Sequence, residues 1–125
     1  MSKILVVDDS EDLLDLLTVM LTIKGHEVAT AGNTTDALKK VNSFFPDLIM
    51  MDVLLGNKSG KQLCWSIKKT NPVIPVLLMS ASPALLKNFG DCNADDFLEK
   101  PFDINILNRT IDALLTSSKK LQEHP

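Results

Sequence analysis

Tyrosine is absent from this chain, and cysteine occurs only twice, as Cys64 and Cys92. The two cysteines match no C-x-x-C metal spacing and supply no disulfide framework, so both are expected to be reduced, small apolar residues, buried or half-buried. Positive charge is also scarce: 13 Lys and Arg face 16 Asp and Glu, a formal net charge of −3. A general nucleic-acid surface needs a basic stripe, and the chain carries none. No apolar run approaches the ~20 residues that cross a bilayer. After Met1 and Ser2 the chain enters a strand-like run directly, without the pattern of a signal peptide. The expectation is one cytoplasmic domain, and 125 residues are enough to bury a core without staples.

Short apolar runs alternate with longer amphipathic ones, five times over. ILVV (4–7), EVATA (27–31), PDLIMMD ending at Asp52, IPVLLMSAS and DDFLEKPF read as strands, from their length and β-branched content. Between them lie helical patterns. Leu14, Leu17 and Leu21 share one face before a stop at Gly25. Ala37, Leu38 and Val41 are expected inward behind a cap at Asn33 or Thr34. Leu63, Cys64 and Ile67 oppose a lysine-rich side, on which Trp65 reads as half-buried packing. PALLKNFG is short and weakly periodic. Ile104, Leu107, Ile111 and Leu114 mark a last helix. Near-continuous apolar strands imply a parallel sheet with helices on both faces. Right-handed crossovers then favour a doubly wound α/β fold, five strands in the order 2-1-3-4-5 with five helices. Residues 3–117 are expected to form the domain, and 118–125 a polar tail or linker stub.

The first strand ends abruptly in Asp8 and Asp9, which repel each other and suit a strand poorly. A helix cap accounts for Asp8, Asp9 or Ser10, but not for the pair. In the expected topology Asp8 and Asp9 share one sheet edge with Asp52, Ser80 and Lys100, where such folds bind ligands. Three carboxylates would repel unless a hard divalent cation, Mg²⁺, joined one or two of them and kept its waters. Cation, lysine and hydroxyl together suit a phosphoryl group, with Asp52 placed as nucleophile to form an aspartyl phosphate.

VVDDS (6–10), DLIMMD (47–52), LLMSAS (77–82) and DDFLEKPF (95–102), in this order, make the chain resemble the receiver domain of two-component response regulators. The resemblance implies that Asp52 is the phosphoacceptor. It implies Mg²⁺ ligation directly by Asp9, through water by Asp8, and by the Leu54 carbonyl as well as Asp52. It makes Ser80 and Lys100 partners of the phosphoryl group, Ser80 and Phe97 the switch, and Lys100–Pro101 a cis peptide. Leu54 and Ser82 then flank the approach of a hydrolytic water. A histidine kinase or phosphotransfer protein is the implied phosphodonor. The implied output is a downstream protein or domain, or a homodimer, through the face from strand four to helix five. The module is expected to be no enzyme beyond catalysing its own phosphoryl uptake and slow loss.

The sequence departs from the family at Gly56, where proline is usual and a looser loop is expected, and at Asn93, where glycine is common. Lacking tyrosine, the switch position has no hydroxyl. An Mg²⁺-dependent aspartyl phosphatase is the competing enzyme, but it needs an acid where Leu54 stands. A flavin carrier would not place DDSED in its phosphate loop, and a non-phosphorylated pseudo-receiver would not need the whole set.

Overall fold

Strand and helix patterns alternate along the sequence as the βαβ rule requires, and the structure, a computed structural model, describes residues 2–123, with side chains through 118. Strands β1 (Lys3–Val7), β2 (Glu27–Ala31) and β3 (Leu48–Asp52) come first. A small hairpin of β4 (Leu54–Leu55) and β5 (Lys58–Ser59) follows, then β6 (Val76–Ser80) and β7 (Asp96–Glu99). The main sheet is parallel and ordered β2-β1-β3-β6-β7. With the hairpin left out of the count, this is the expected 2-1-3-4-5.

The helices are α1 (Glu11–Ile23), α2 (Thr34–Phe44), α3 (Gly60–Thr70), α4 (Pro83–Leu86) and α5 (Ile104–Glu123), with a 3₁₀ turn at Phe89–Cys92. Alternation along the strands splits the core in two. Ile4, Val6, Leu48 and Met50 pack against Leu17 and Leu21 of α1 and Leu107 and Ile111 of α5. Leu5, Val7, Ile49 and Met51 pack against Ala37 and Val41 of α2 and Leu63, Cys64 and Ile67 of α3. Each fully buried Leu or Ile is worth roughly 1.5–3 kcal/mol, so these two layers fix the sheet that carries the edge described below.

Local chemistry sets the ends. Ser10, not either aspartate, caps α1, its Oγ accepting from the Leu13 amide at 3.3 Å. Past α1, Gly25 takes φ 91° and the His26 amide reaches back to the Leu21 carbonyl at 3.1 Å, a Schellman stop. Asn33 caps α2. Asn93 adopts φ 66°, so it does take the left-handed backbone that glycine usually supplies.

Some packing differs from the periodicity. Leu38 is exposed because the inward stripe of α2 narrows to Ala37 and Val41. On α5, Ile104 is exposed and Leu115 joins Leu107 and Ile111 inside. Trp65 is 45% exposed, with the Lys69 ammonium 3.7 Å from its ring centre. The weakly periodic PALLKNFG splits into one helical turn and a 3₁₀ turn. Helix α5 continues to Glu123, through most of the expected polar tail; His124 and Pro125 lie outside the described residues. Among the described residues, no helix is long and apolar enough to cross a membrane.

Candidate functional site at the carboxyl edge of the sheet

Register places the candidate residues. Met51 and Asp52 of β3 lie beside Val7 and Met79, and Ser80 of β6 lies beside Glu99. Asp8 therefore follows directly on β1, the neighbour of β3 on one side, and Lys100 on β7, one strand beyond β6 on the other. The Asp8 amide is held by the Ala31 carbonyl at 3.1 Å, and the Lys100 amide by the Ser80 carbonyl at 2.8 Å. Side chains at these points project over the sheet edge.

Lys100 ties the edge together. Its ammonium donates to Asp8 Oδ2 at 2.7 Å and to Asp52 Oδ2 at 2.5 Å. Asp8 is only 1% exposed, so its charge is intolerable without partners. Its other oxygen accepts from the Ser10 amide at 2.9 Å. Burial, the largest influence on Lys100, pulls its pKa down. Hydrogen bonds and charge from Asp52 and Asp8 outweigh it, and the net shift is upward. The lysine therefore remains a cation at any physiological pH. The Lys100–Pro101 peptide is cis.

Asp52 Oδ1 accepts from the Leu54 amide at 2.8 Å, and Asp9 Oδ2 from the Gly56 amide at 3.1 Å. Asp9 is exposed, unlike Asp8. Ser80 is 3% exposed, and its Oγ accepts from the Ser82 amide at 3.1 Å, which leaves the hydroxyl proton free to donate elsewhere. Asp9, Asp52, Leu54, Ser80, Ser82 and Lys100 all line one cleft of about 490 Å³. Phe97 stands apart from it. It is 41% exposed and packs on Phe89, with ring centres 4.8 Å apart.

The donor set fits a water-rich hard cation better than a closed cage. Among the described residues, no three acidic, histidine or cysteine side chains are gathered to hold a metal. Lys100 donates to both Asp8 and Asp52, so its ammonium already offsets part of their charge. Asp9 is the carboxylate held by a neutral amide alone, and it opens to solvent. An ion that takes one or two carboxylates and keeps several waters, as Mg²⁺ does, suits such an edge.

Gly60 and the inward course of Lys68 escaped the sequence reading. A Cβ on Gly60 would lie 2.0 Å from the Asp52 carbonyl oxygen, so only glycine lets α3 start there. Gly60 also donates its amide to the Val53 carbonyl at 2.7 Å. Gly56, expected to loosen its loop, instead closes a hairpin. The Ser59–Gly60 pair at the start of α3 is the sequence signal for Gly60. Lys68 lies inside rather than on the lysine face, bonded to Asp95 and to the Ile74 carbonyl, each at 2.9 Å.

Comparison with known proteins places this chain in a family. The profile described as "Response regulator receiver domain" matches residues 4–112. The chain is 36% identical over 119 residues to the alkaline phosphatase synthesis transcriptional regulatory protein PhoP of Bacillus subtilis, covering 94% of this chain and 50% of that protein. It is 34% identical to the CpxR homolog of Haemophilus influenzae, covering 94% of this chain and 52% of that protein. The chain thus spans about half the length of the curated relatives it matches. Among solved structures, NtrX from Brucella abortus superposes with a TM-score of 0.91 at 34% identity, over 98% of this chain and 29% of that one. TrrA from Thermotoga maritima, solved in complex with Mg²⁺-BeF, superposes at 0.83 with 30% identity, over 91% of this chain and 99% of that one.

The family match makes this fold a receiver-type signalling module rather than a conventional enzyme. The chain belongs to the response regulator receiver domain family.

Proposed function

We propose that residues 3–117 act as a phosphoacceptor module, taking a phosphoryl group onto Asp52 from a histidine kinase or a phosphotransfer protein. The observation that carries this reading is the Lys100 ammonium shared between Asp8 and Asp52, beside a cleft open to solvent. In the step, a carboxylate oxygen of Asp52 attacks phosphorus, the P–O bond forms and the phosphorus–nitrogen bond of a phosphohistidine donor breaks. The imidazole leaves with that electron pair and takes up a proton.

Each side chain has a part. Lys100 holds Asp52 in place and offsets charge on the phosphoryl oxygens. The Ser80 hydroxyl donates to one of them. Bound at Asp9 and Asp52, with the Leu54 carbonyl and a water on Asp8, Mg²⁺ would neutralise the charge that gathers on those oxygens. Leu13, Leu16, Pro101 and Phe102 form an apolar hollow next to Lys100, which suits the docking of a protein donor beside the nucleophile. Output runs through Ser80 and the exposed Phe97, toward a downstream protein or domain or a second copy. The aspartyl-phosphatase alternative still lacks its acid, since position 54 is leucine.

The test is intact mass after incubation with a small acyl phosphate and Mg²⁺. One added phosphoryl group is expected in the wild type and none in Asp52→Asn, with the variant's fold retained. Equal incorporation in the variant removes Asp52 as acceptor. No incorporation into either protein, including from a kinase, leaves the pseudo-receiver reading in its place.

A further inference from the structure

Two backbone amides from the hairpin after β3 each hold a site carboxylate, Leu54 on Asp52 and Gly56 on Asp9. The hairpin pairs Leu54 with Ser59 and Leu55 with Lys58, leaving Gly56 and Asn57 as its two-residue turn. Gly56 has φ 63°, and Asn57 is not among the residues with positive φ. That pattern belongs to a type II′ turn, where glycine is the natural first residue. A proline, with φ near −65° and no N–H, could form neither this turn nor the bond to Asp9.

We infer that Gly56 is a positioning residue for the cation, its amide fixing the Asp9 carboxylate in the ligating orientation. The inference rests on Asp9 being a cation ligand, as proposed above. Asp9 is exposed and lies beside the buried charge of Asp8, so an untethered side chain would turn toward water and away from the edge. The amide prevents that with one hydrogen bond on Oδ2. It leaves Oδ1 and the remaining lone pair for a metal.

The kind of donor matters. An ammonium, such as the one on Asp8 and Asp52, would compete with a cation for the carboxylate charge. A neutral N–H orients the carboxylate without cancelling it. The hairpin is itself anchored, because Gly60 sits against the Asp52 carbonyl and donates to Val53. The clasp therefore holds Asp9 in a frame shared with Asp52.

The test separates the donor from the turn. Chemical synthesis by ligation supplies Gly56→D-Ala, which keeps both the positive φ and the N–H, and Gly56→D-Pro, which keeps the φ and deletes the N–H. Mg²⁺ alone is titrated by calorimetry, and circular dichroism checks the fold of each. Affinity should fall about three- to tenfold in Gly56→D-Pro, the range set by losing one hydrogen bond. It should stay within about twofold of wild type in Gly56→D-Ala, the contact being intact. In metal-free protein, the amide of residue 56 should be protected from hydrogen exchange in wild type and lose protection in Asp9→Ala. Unchanged Mg²⁺ affinity in Gly56→D-Pro, or unchanged exchange in Asp9→Ala, would overturn the positioning role. A wild type that takes up no Mg²⁺ overturns the cation reading itself, a failure visible without either variant.

Discussion

Replacing Lys100 with methionine strands two carboxylates at once. Asp8 is 1% exposed and Asp52 13%, and they bond the same ammonium at 2.7 and 2.5 Å. At an effective dielectric near 20, one such pair attracts by roughly 6 kcal/mol, and the cost of drying the lysine cancels much of it. Removing one partner of a buried pair typically costs about 3–5 kcal/mol, because the charge left behind is uncompensated. Methionine keeps the apolar stem, so packing contributes little to the loss. Against a total stability of about 5–15 kcal/mol this is severe, a fall in Tm of roughly 10–20 °C. Urea unfolding in the presence of a chelator measures it directly. Asp8→Asn in the Lys100→Met background should recover about 2 kcal/mol, since the stranded charge is the cause. Mg²⁺ should stabilise Lys100→Met more than wild type by supplying the missing positive charge. A loss below about 1 kcal/mol, or strict additivity in the double variant, would refute the argument that Lys100 neutralises the pair.

Gly60→Ala should cost about 3 kcal/mol or more and slow phosphoryl uptake, because the new methyl lies against the Asp52 backbone; thermal melts and uptake from a small phosphodonor check both. Lys100 also predicts alkaline behaviour. A raised folded-state pKa gives a stability contribution that is complete below the unfolded value near 10.4 and is lost as pH rises through the folded one. Wild-type stability should therefore decline above about pH 10.4, more steeply than in Lys100→Met, as read by unfolding at stepped pH. Leu54, 55% exposed at the cleft mouth, offers an approaching water no hydrogen bond. Leu54→Asn should shorten the lifetime of the phosphoprotein more than it changes uptake, measured as decay after the donor is removed at fixed Mg²⁺. Ser82→Glu should alter the same rate.

What the sequence carried well was whatever depends on period and position. Continuous apolar strands and 3.6-residue stripes were enough for the parallel sheet and its order, and strand ends led to the acidic edge. What it carried poorly depends on which of two similar residues the tertiary structure draws inward. Lys68 read as part of a solvated face, yet it is buried, and Asp95 Oδ2 that accepts from it also accepts from the Val76 amide at 2.8 Å. Nothing in a run of lysines says which one meets a carboxylate 27 residues away. Gly56 failed differently. Its missing Cβ predicted freedom, whereas the positive φ it permits closes a turn. The close approach of Gly60 to Asp52 joins two elements whose spacing only the packed sheet sets.

Charge at the edge links the resting geometry to the proposed output. Asp8, Asp9 and Asp52 against Lys100 leave a formal excess of two negative charges, which a divalent cation would balance. Converting the Asp52 carboxylate to an acyl phosphate adds roughly one more negative charge near neutral pH. Asp8 is already committed to Lys100 and Ser10, and Asp9 to Gly56. A donor free to reach the new oxygens is the hydroxyl proton of Ser80, which lines the same cleft as Asp52 and whose oxygen now accepts from Ser82. If Ser80 turns to donate, Ser82 follows or loses its partner, and Ser82 is the residue that opens α4. That helix is one turn long, with no side-chain hydrogen bond at its cap, so little resists the pull. On the proposed phosphorylation, the acidic excess at Asp8 and Asp9 would therefore have a mechanical consequence at α4, a helix of a single turn.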